Sequence, residues 1–162
     1  YYAVPVHWAM EHKLVSGTSD TTFSPDDVCT TGQILTFLWR SNGSPEPSIG
    51  NPFRSLDTGK FYAKAAIWAY EKGIISDTNF NGEALCTRST AVEYIWKMWE
   101  KPDAEPTSFT DVNRNAEYAK AVDWAVKTGI TSGTEAGKFS PEATCTRGQI
   151  VTFLYRFFAQ LK

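Results

Sequence analysis

The feature that most constrains this chain is an internal register repeated three times. Trp8, Trp68 and Trp124 each stand six residues after a Tyr (Tyr2, Tyr62, Tyr118). Farther on, Cys29, Cys86 and Cys145 each follow a Phe (Phe23, Phe80, Phe139) by six residues and precede a basic residue (Arg40, Lys97, Arg156) by eleven. Self-similarity at a period on the order of 50–60 residues marks an array whose units bury their apolar faces against one another. Function in such an array is expected at the joints between units.

Each unit reads as two amphipathic helices around a polar loop. In the third, Tyr118, Ala121, Val122, Ala125 and Val126 fall on one helical stripe, Gly129 stops the helix, and Ile130 follows where a hydrophobic residue packs back over a glycine cap. The second unit repeats this with Tyr62, Ala65, Ala66, Ala69 and Tyr70, stopped at Gly73 and Ile74. The first has Tyr2, Val6, Ala9 and Met10, with Pro5 in the opening turn. The loops SGTSDTTFSP and SGTEAGKFSP follow in units one and three, each with a lone Phe expected to plug the core; the loop of unit two is three residues shorter.

The second helices open on Thr30-Thr31-Gly32-Gln33 and Thr146-Arg147-Gly148-Gln149, the pattern of a capping box in which Thr and Gln each close an orphan amide. They continue along Ile150, Phe153, Leu154, Phe157 and Phe158, matched by Ile34, Phe37 and Leu38 and by Ala91, Tyr94, Ile95, Met98 and Trp99. Cys145 and Ile150 then occupy the two positions of a hydrophobic staple. Three cysteines at one equivalent position make poor disulfide arithmetic, and no close pair such as C-x-x-C supports zinc. They read as small buried apolar residues bracing helix starts.

Composition sets the class. At 162 residues and 42% hydrophobic the chain can bury a sound core. A net charge of −2 without a basic block argues against nucleic acid as partner. No apolar run approaches the roughly 20 residues of a membrane span, so the chain is not membrane-embedded. The absence of a signal peptide suggests an excised part of a longer polypeptide. Ser41 to Gly50 and Lys101 to Ser108 are Pro-rich linkers. Each leads into a short segment, Phe53-Arg54-Ser55-Leu56 and Phe109-Thr110-Asp111-Val112, whose counterpart for unit one is expected upstream in the parent. The units accordingly span 1–44, 45–101 and 102–162 of a single domain covering 1–162.

An F-x-D-V lead-in, a Y-x-x-A-V-x-W-A helix, a G-I-x-S-G turn, an F-S-P loop and a C-T-R-G-Q helix start, in that order, resemble the S-layer homology domain in three tandem copies. The resemblance implies an all-α fold in which three helix-loop-helix repeats close into one pseudo-threefold domain. It also implies a non-catalytic module, without cofactor, that anchors a larger bacterial surface protein or exoenzyme, extracellularly, to an anionic secondary cell-wall polysaccharide, often one bearing pyruvate ketals. The family pattern is complete only in unit three, with Asp111, Trp124, Gly133, Arg147 and Gln149. Thr31 replaces the arginine in unit one; Ser55, Asp77 and Thr90 replace the lead-in Asp, turn Gly and capping Gln in unit two. One site, or two of unequal strength, is therefore expected.

The residues favour such a ligand independently. Arg147 and Arg88 open their helices, where a cation faces the positive end of the macrodipole at a cost of about 0.3–1 kcal/mol. An Arg fork beside exposed helix amides can hold a carboxylate; the competing explanation is an ion pair with a neighbour such as Asp111. Trp124 sits about 130° from the apolar stripe, as do Trp8 and Trp68, so these either pack on the adjacent unit or line a groove where a sugar stacks. The candidate ligand-binding set is Arg147, Asp111, Trp124, Gly133, Gln149, Arg88, Trp68, Trp8, Gly17 and Gln33. No catalytic or metal site is expected: His7 and His12 lie together in unit one far from any recurring nucleophile, and Asp20, Asp26 and Asp27 lack the spacing of a calcium loop. The rival class is a protein-binding module that uses aromatic joints without the arginines.

Overall fold

The computed structural model describes residues 1–19 and 21–159. Six α-helices follow in pairs: α1 Ala3–Glu11 and α2 Thr31–Ser41, α3 Ala63–Glu71 and α4 Arg88–Met98, α5 Tyr118–Lys127 and α6 Arg147–Ala159. Among the described residues there is no sheet, only isolated bridges. The principal helix contacts run between units: α2 packs on α3, α4 on α5, and α6 returns to α1. The third unit therefore closes on the first, and the fold of the described residues is the all-α, pseudo-threefold ring that the family resemblance implied.

The ring is stitched at its axis by backbone. Cys29 N–H donates to the Cys145 carbonyl, Cys86 N–H to Cys29, and Cys145 N–H to Cys86, each at 2.8 Å. All three side chains are free thiols, fully buried. Burial pushes the thiols of Cys29 and Cys145 up to about 12 and that of Cys86 higher still. Each cysteine directly precedes the Thr whose hydroxyl accepts from the third helical amide: Thr30 from Gln33, Thr87 from Thr90, Thr146 from Gln149. Gln33 and Gln149 return their side chains to the Thr amides at 2.9 Å, completing two capping boxes.

The next two amides of each second helix also find partners, all on the neighbouring unit. Thr31 and Gly32 donate to Ala84 and Gly82, Arg88 and Ser89 to Ala143 and Pro141, Arg147 and Gly148 to Asp27 and Pro25. Gly32 allows this approach, because a Cβ there would lie 2.5 Å from the Tyr62 ring. Two of the orphan donors at each of these helix starts are thus used to join units, and the third is capped within its own unit.

At the other end of the first helices, Leu14, Ile74 and Ile130 donate back to Ala9, Ala69 and Ala125 in the expected terminating turn. Gly73 and Gly129 hold its left-handed position at φ +76° and +78°, and Lys13 occupies the same place in unit one at φ +58°. The Pro-rich linkers are tied down, Trp39 donating to the Pro45 carbonyl and Trp96 to Pro102.

Candidate functional site

The arginines at the helix starts reach across the joints. Arg147 is only 5% exposed. Its Nε donates to the Phe23 carbonyl at 3.0 Å and its Nη2 to Ser16 at 2.8 Å, while the guanidinium lies 4.6 Å from the Phe23 ring centre and 5.6 Å from that of Phe37. Arg88 does the same one unit along, donating to the Phe139 carbonyl and to Thr131 Oγ1 between the rings of Phe139 and Phe153. Burial lowers the pKa of both. These contacts explain why a cation tolerates the wrong end of a helix: it cross-links one unit to the loop of the next.

Two expectations change here. The amides beside Arg147 and Arg88 are not exposed for an anion, since loop carbonyls and capping hydroxyls occupy them. Neither arginine is paired with Asp111, whose carboxylate instead accepts from Phe139 N at 3.0 Å and Ser140 N at 2.8 Å. Burial opposes ionisation of Asp111, but those amides and Lys138 outweigh it and hold the pKa below the usual carboxylate range. It thereby braces the loop whose Phe139 carbonyl receives Arg88.

A cleft nevertheless opens beside each arginine. The first, about 270 Å³, is lined by Ser16, Gly17 and Thr18 of the unit-one loop, Gln33, Thr36, Phe37 and Arg40 of α2, Arg147 of unit three and Phe61 of unit two. The second, about 330 Å³, is lined by Thr131, Ser132, Gly133 and Thr134, by Gln149, Thr152, Phe153 and Arg156 of α6, by Arg88 and by Tyr1. Apart from Thr131, the two correspond position for position, and each gathers residues from all three units. Neither contains an acidic side chain among the described residues. Gly133 is required in its place, because at φ +100° a Cβ would meet the Lys138 carbonyl at 2.5 Å.

The third joint differs. Thr31 replaces the arginine and donates to the Asn81 carbonyl. Lys97, the counterpart of Arg40 and Arg156, bridges Glu93 at 2.8 Å and Glu117 at 3.6 Å. That joint neutralises its own cation. By contrast, neither Arg40 nor Arg156 has a carboxylate within 4.0 Å among the described residues.

Of the sequence-derived set, Arg147, Gly17 and Gln33 share the first cleft and Arg88, Gly133 and Gln149 the second. Ring closure thus divides the residues of unit three, Arg147 going to the first cleft and Gly133 and Gln149 to the second. Trp124 is 4% exposed, packed on Phe157, and lines neither. Trp8 packs on Tyr155 and Phe158 of α6, in the seam between units. Trp68 is equally buried and borders a different cavity, near Glu46, Glu71 and Lys97. Besides Phe37 and Phe153 of the second helices, the clefts are lined by Phe61 and Tyr1, which the sequence pattern did not single out; the signal was the doublets Tyr1-Tyr2 and Phe61-Tyr62 at equivalent positions.

His7 lies 3.2 Å from Glu11 on the surface, and His12 contacts the Trp8 carbonyl. Asp26 and Asp27 are exposed, and Asp20 lies outside the described residues. Among the described residues no cluster of three or more His, Cys, Asp or Glu is placed to hold a metal ion, and no helix is long and apolar enough to cross a membrane.

The sequence model of the S-layer homology domain matches residues 1–34 and 108–151. The chain is also 25% identical over 151 residues to the exoglucanase XynX of Acetivibrio thermocellus, covering 88% of this chain and 14% of that protein. It is 22% identical over 151 residues to an amylopullulanase of Thermoanaerobacterium thermosulfurigenes, covering 88% of this chain and 8% of the relative. To an endoglucanase of a Bacillus species it is 29% identical over 150 residues, covering 86% of this chain and 16% of the relative. The chain thus spans less than a fifth of each of these relatives. The matched stretches lie in the units that begin and end the ring, and within them the chain is similar to the S-layer homology domain.

Proposed function

We infer that residues 1–162 form one anchoring module, of units 1–44, 45–101 and 102–162, that binds an anionic, pyruvylated secondary cell-wall polysaccharide and tethers a larger bacterial surface protein or exoenzyme outside the cell. The observation that carries this is the matched pair of clefts, each with an inter-unit arginine, a second arginine from the last turns of the helix and a capping glutamine, without an acid among the described residues. Such a wall offers a carboxylate two cations and neutral donors in a partly desolvated recess, where charge-assisted bonds are strongest. The chemistry of the module is recognition; catalysis belongs to whatever is attached to it.

Arg88 and Arg147 are so deeply engaged with loop carbonyls that they set the shape and field of the clefts, and the more exposed Arg40 and Arg156 are the partners for the ligand. The test is retention of the chain on purified cell walls, before and after removal of the secondary polymer and of its pyruvate. Retention that survives both treatments would assign the clefts to a protein partner instead.

A further inference from the structure

Resting on that reading, one position in each unit carries a consequence for which sugar chemistry the clefts accept. The residue just before the Tyr that opens each first helix is Tyr1, Phe61 or Glu117. Tyr1 is 77% and Phe61 60% exposed, and each lines one of the two basic clefts. Glu117 stands at the third joint and takes part in holding Lys97 and Lys101, at 3.6 and 3.3 Å.

A single exposed aromatic ring is ordinary on a protein surface. Here the same exposure recurs at the same place beside the same pair of guanidinium groups. The fold makes no evident use of these rings: their aromatic contacts are edge-on with the following Tyr2 and Tyr62, and it is Tyr62, not Phe61, that is buried against Gly32 and Gly82. An apolar face next to two cations matches a ligand that is apolar on one side and anionic at one edge. A pyranose ring bearing a carboxylate ketal has that character: its C–H face can lie on the aromatic ring while its carboxylate reaches Arg40 or Arg156.

The geometry points to Phe61 and Tyr1 as the platforms that stack a pyranose ring in the first and second clefts, with Glu117 closing the third joint to anions. Selectivity then requires both the ring and its charge. A charged ketal without a ring loses the platform, and a neutral sugar loses the guanidinium groups.

The experiment is an NMR chemical-shift titration of the intact chain with three probes. These are a methyl glucopyranoside carrying a 4,6-O-(1-carboxyethylidene) ketal, the unsubstituted methyl glucopyranoside, and 2,2-dimethoxypropanoate, which keeps the carboxylate ketal without the ring. Wild type should bind the first about tenfold more tightly than either other probe. Phe61→Ala should lose about that factor for shifts around Gly17 and Gln33 while sparing those around Gly133 and Gln149, and Phe61→Trp should retain it. Phe61→Ala binding as wild type does, or the ring-free ketal binding as tightly as the pyruvylated sugar, overturns the platform while leaving the anionic-glycan reading intact. Failure of wild type to bind the pyruvylated sugar at all overturns both. Tight binding of the neutral sugar, lost in Phe61→Ala, would keep the platform and overturn the carboxylate reading.

Discussion

Arg147 at the start of α6 donates its Nη2 to the carbonyl of Ser16 at 2.8 Å, so that a side chain of the last unit fastens the loop of the first. Together with the α6 to α1 contact and the Cys29 to Cys145 backbone bond, it makes the ring close. The same guanidinium borders the first cleft, so closure and cleft formation share one residue.

Arg147→Ala should therefore cost stability before it costs binding. Two charge-assisted bonds and the contacts with Phe23 and Phe37 are lost, and the Ser16 and Phe23 carbonyls are left without these donors. The expected cost is about 2–4 kcal/mol. Arg147→Lys should recover little of it, since an ammonium cannot reproduce the fork. Chemical denaturation of both variants checks this; wild-type stability in Arg147→Ala would mean that the ring does not depend on this cross-link.

The cysteines should behave as inert core. Full burial and raised pKa values leave almost no thiolate at neutral pH, so labelling by a thiol reagent should require unfolding and follow its denaturant dependence. Cys86→Ala should cost about 1 kcal/mol, because it removes one sulfur and leaves the backbone triangle in place. Rapid stoichiometric labelling under native conditions would contradict this placement.

Acid should weaken unit three through Asp123. Its side chain is 3% exposed and accepts from both arms of Arg114, at 2.9 and 2.6 Å, and from Thr107 N and Oγ1. Burial works against ionisation, but the Arg114 fork and Thr107 outweigh it and lower the pKa. A depressed native pKa contributes stability above the unfolded value, near 3.9, and loses it as pH falls through the native value. Arg114→Ala leaves the buried carboxylate with Thr107 alone, so acid unfolding should begin at higher pH and stability at pH 7 should fall by about 2–3 kcal/mol. Denaturant titrations between pH 2 and 7 measure both effects.

What could be read from sequence was what is local. The helix stripes, the Thr and Gln caps and the position of the cysteines before the caps depend on neighbours within one turn, and the structure has them where the spacing put them, except that Met10 and Trp99 at the ends of their stripes are exposed. The composition of the clefts is not local. Gly133 and Gln149 meet Arg88 rather than Arg147 because the ring offsets each helix start by one unit, and no spacing within a repeat carries that offset. The tryptophans mislead for a related reason: each first helix packs on its ring neighbour's second helix, so a ring off the main stripe can still lie in an inter-unit seam. The main apolar stripe of each helix marks only one of those faces.

Lys13 marks a place where unit one departs from its siblings at a cost. It holds φ +58° where the other units use Gly73 and Gly129. Lys13→Gly should relieve about 1 kcal/mol of left-handed strain, partly offset by the greater freedom of glycine in the unfolded chain. A melting temperature raised by roughly 1–3 °C is expected. A fall would show that the Lys13 side chain contributes more than its backbone strain removes.

The anchoring reading stands or falls on Arg40 and Arg156, because the buried Arg88 and Arg147 cannot be removed without disturbing the ring. Arg40→Ala and Arg156→Ala each remove a cation from one cleft while leaving the inter-unit bonds of Arg147 and Arg88 in place. Arg156 also donates to the Ile130 carbonyl at 3.1 Å, so Arg40→Ala is the cleaner of the two. Each should weaken binding of short pyruvylated polymer fragments at its own cleft by about 1–2 kcal/mol, and the double variant should abolish retention on the longer polymer, where both clefts can engage one chain. Lys97→Ala should leave glycan affinity unchanged, since Glu93 and Glu117 already occupy that cation. Added salt should loosen the wild-type complex modestly. If Arg40→Ala and Arg156→Ala bind the fragments as wild type does, the clefts do not read the carboxylate, and the protein-binding reading takes their place.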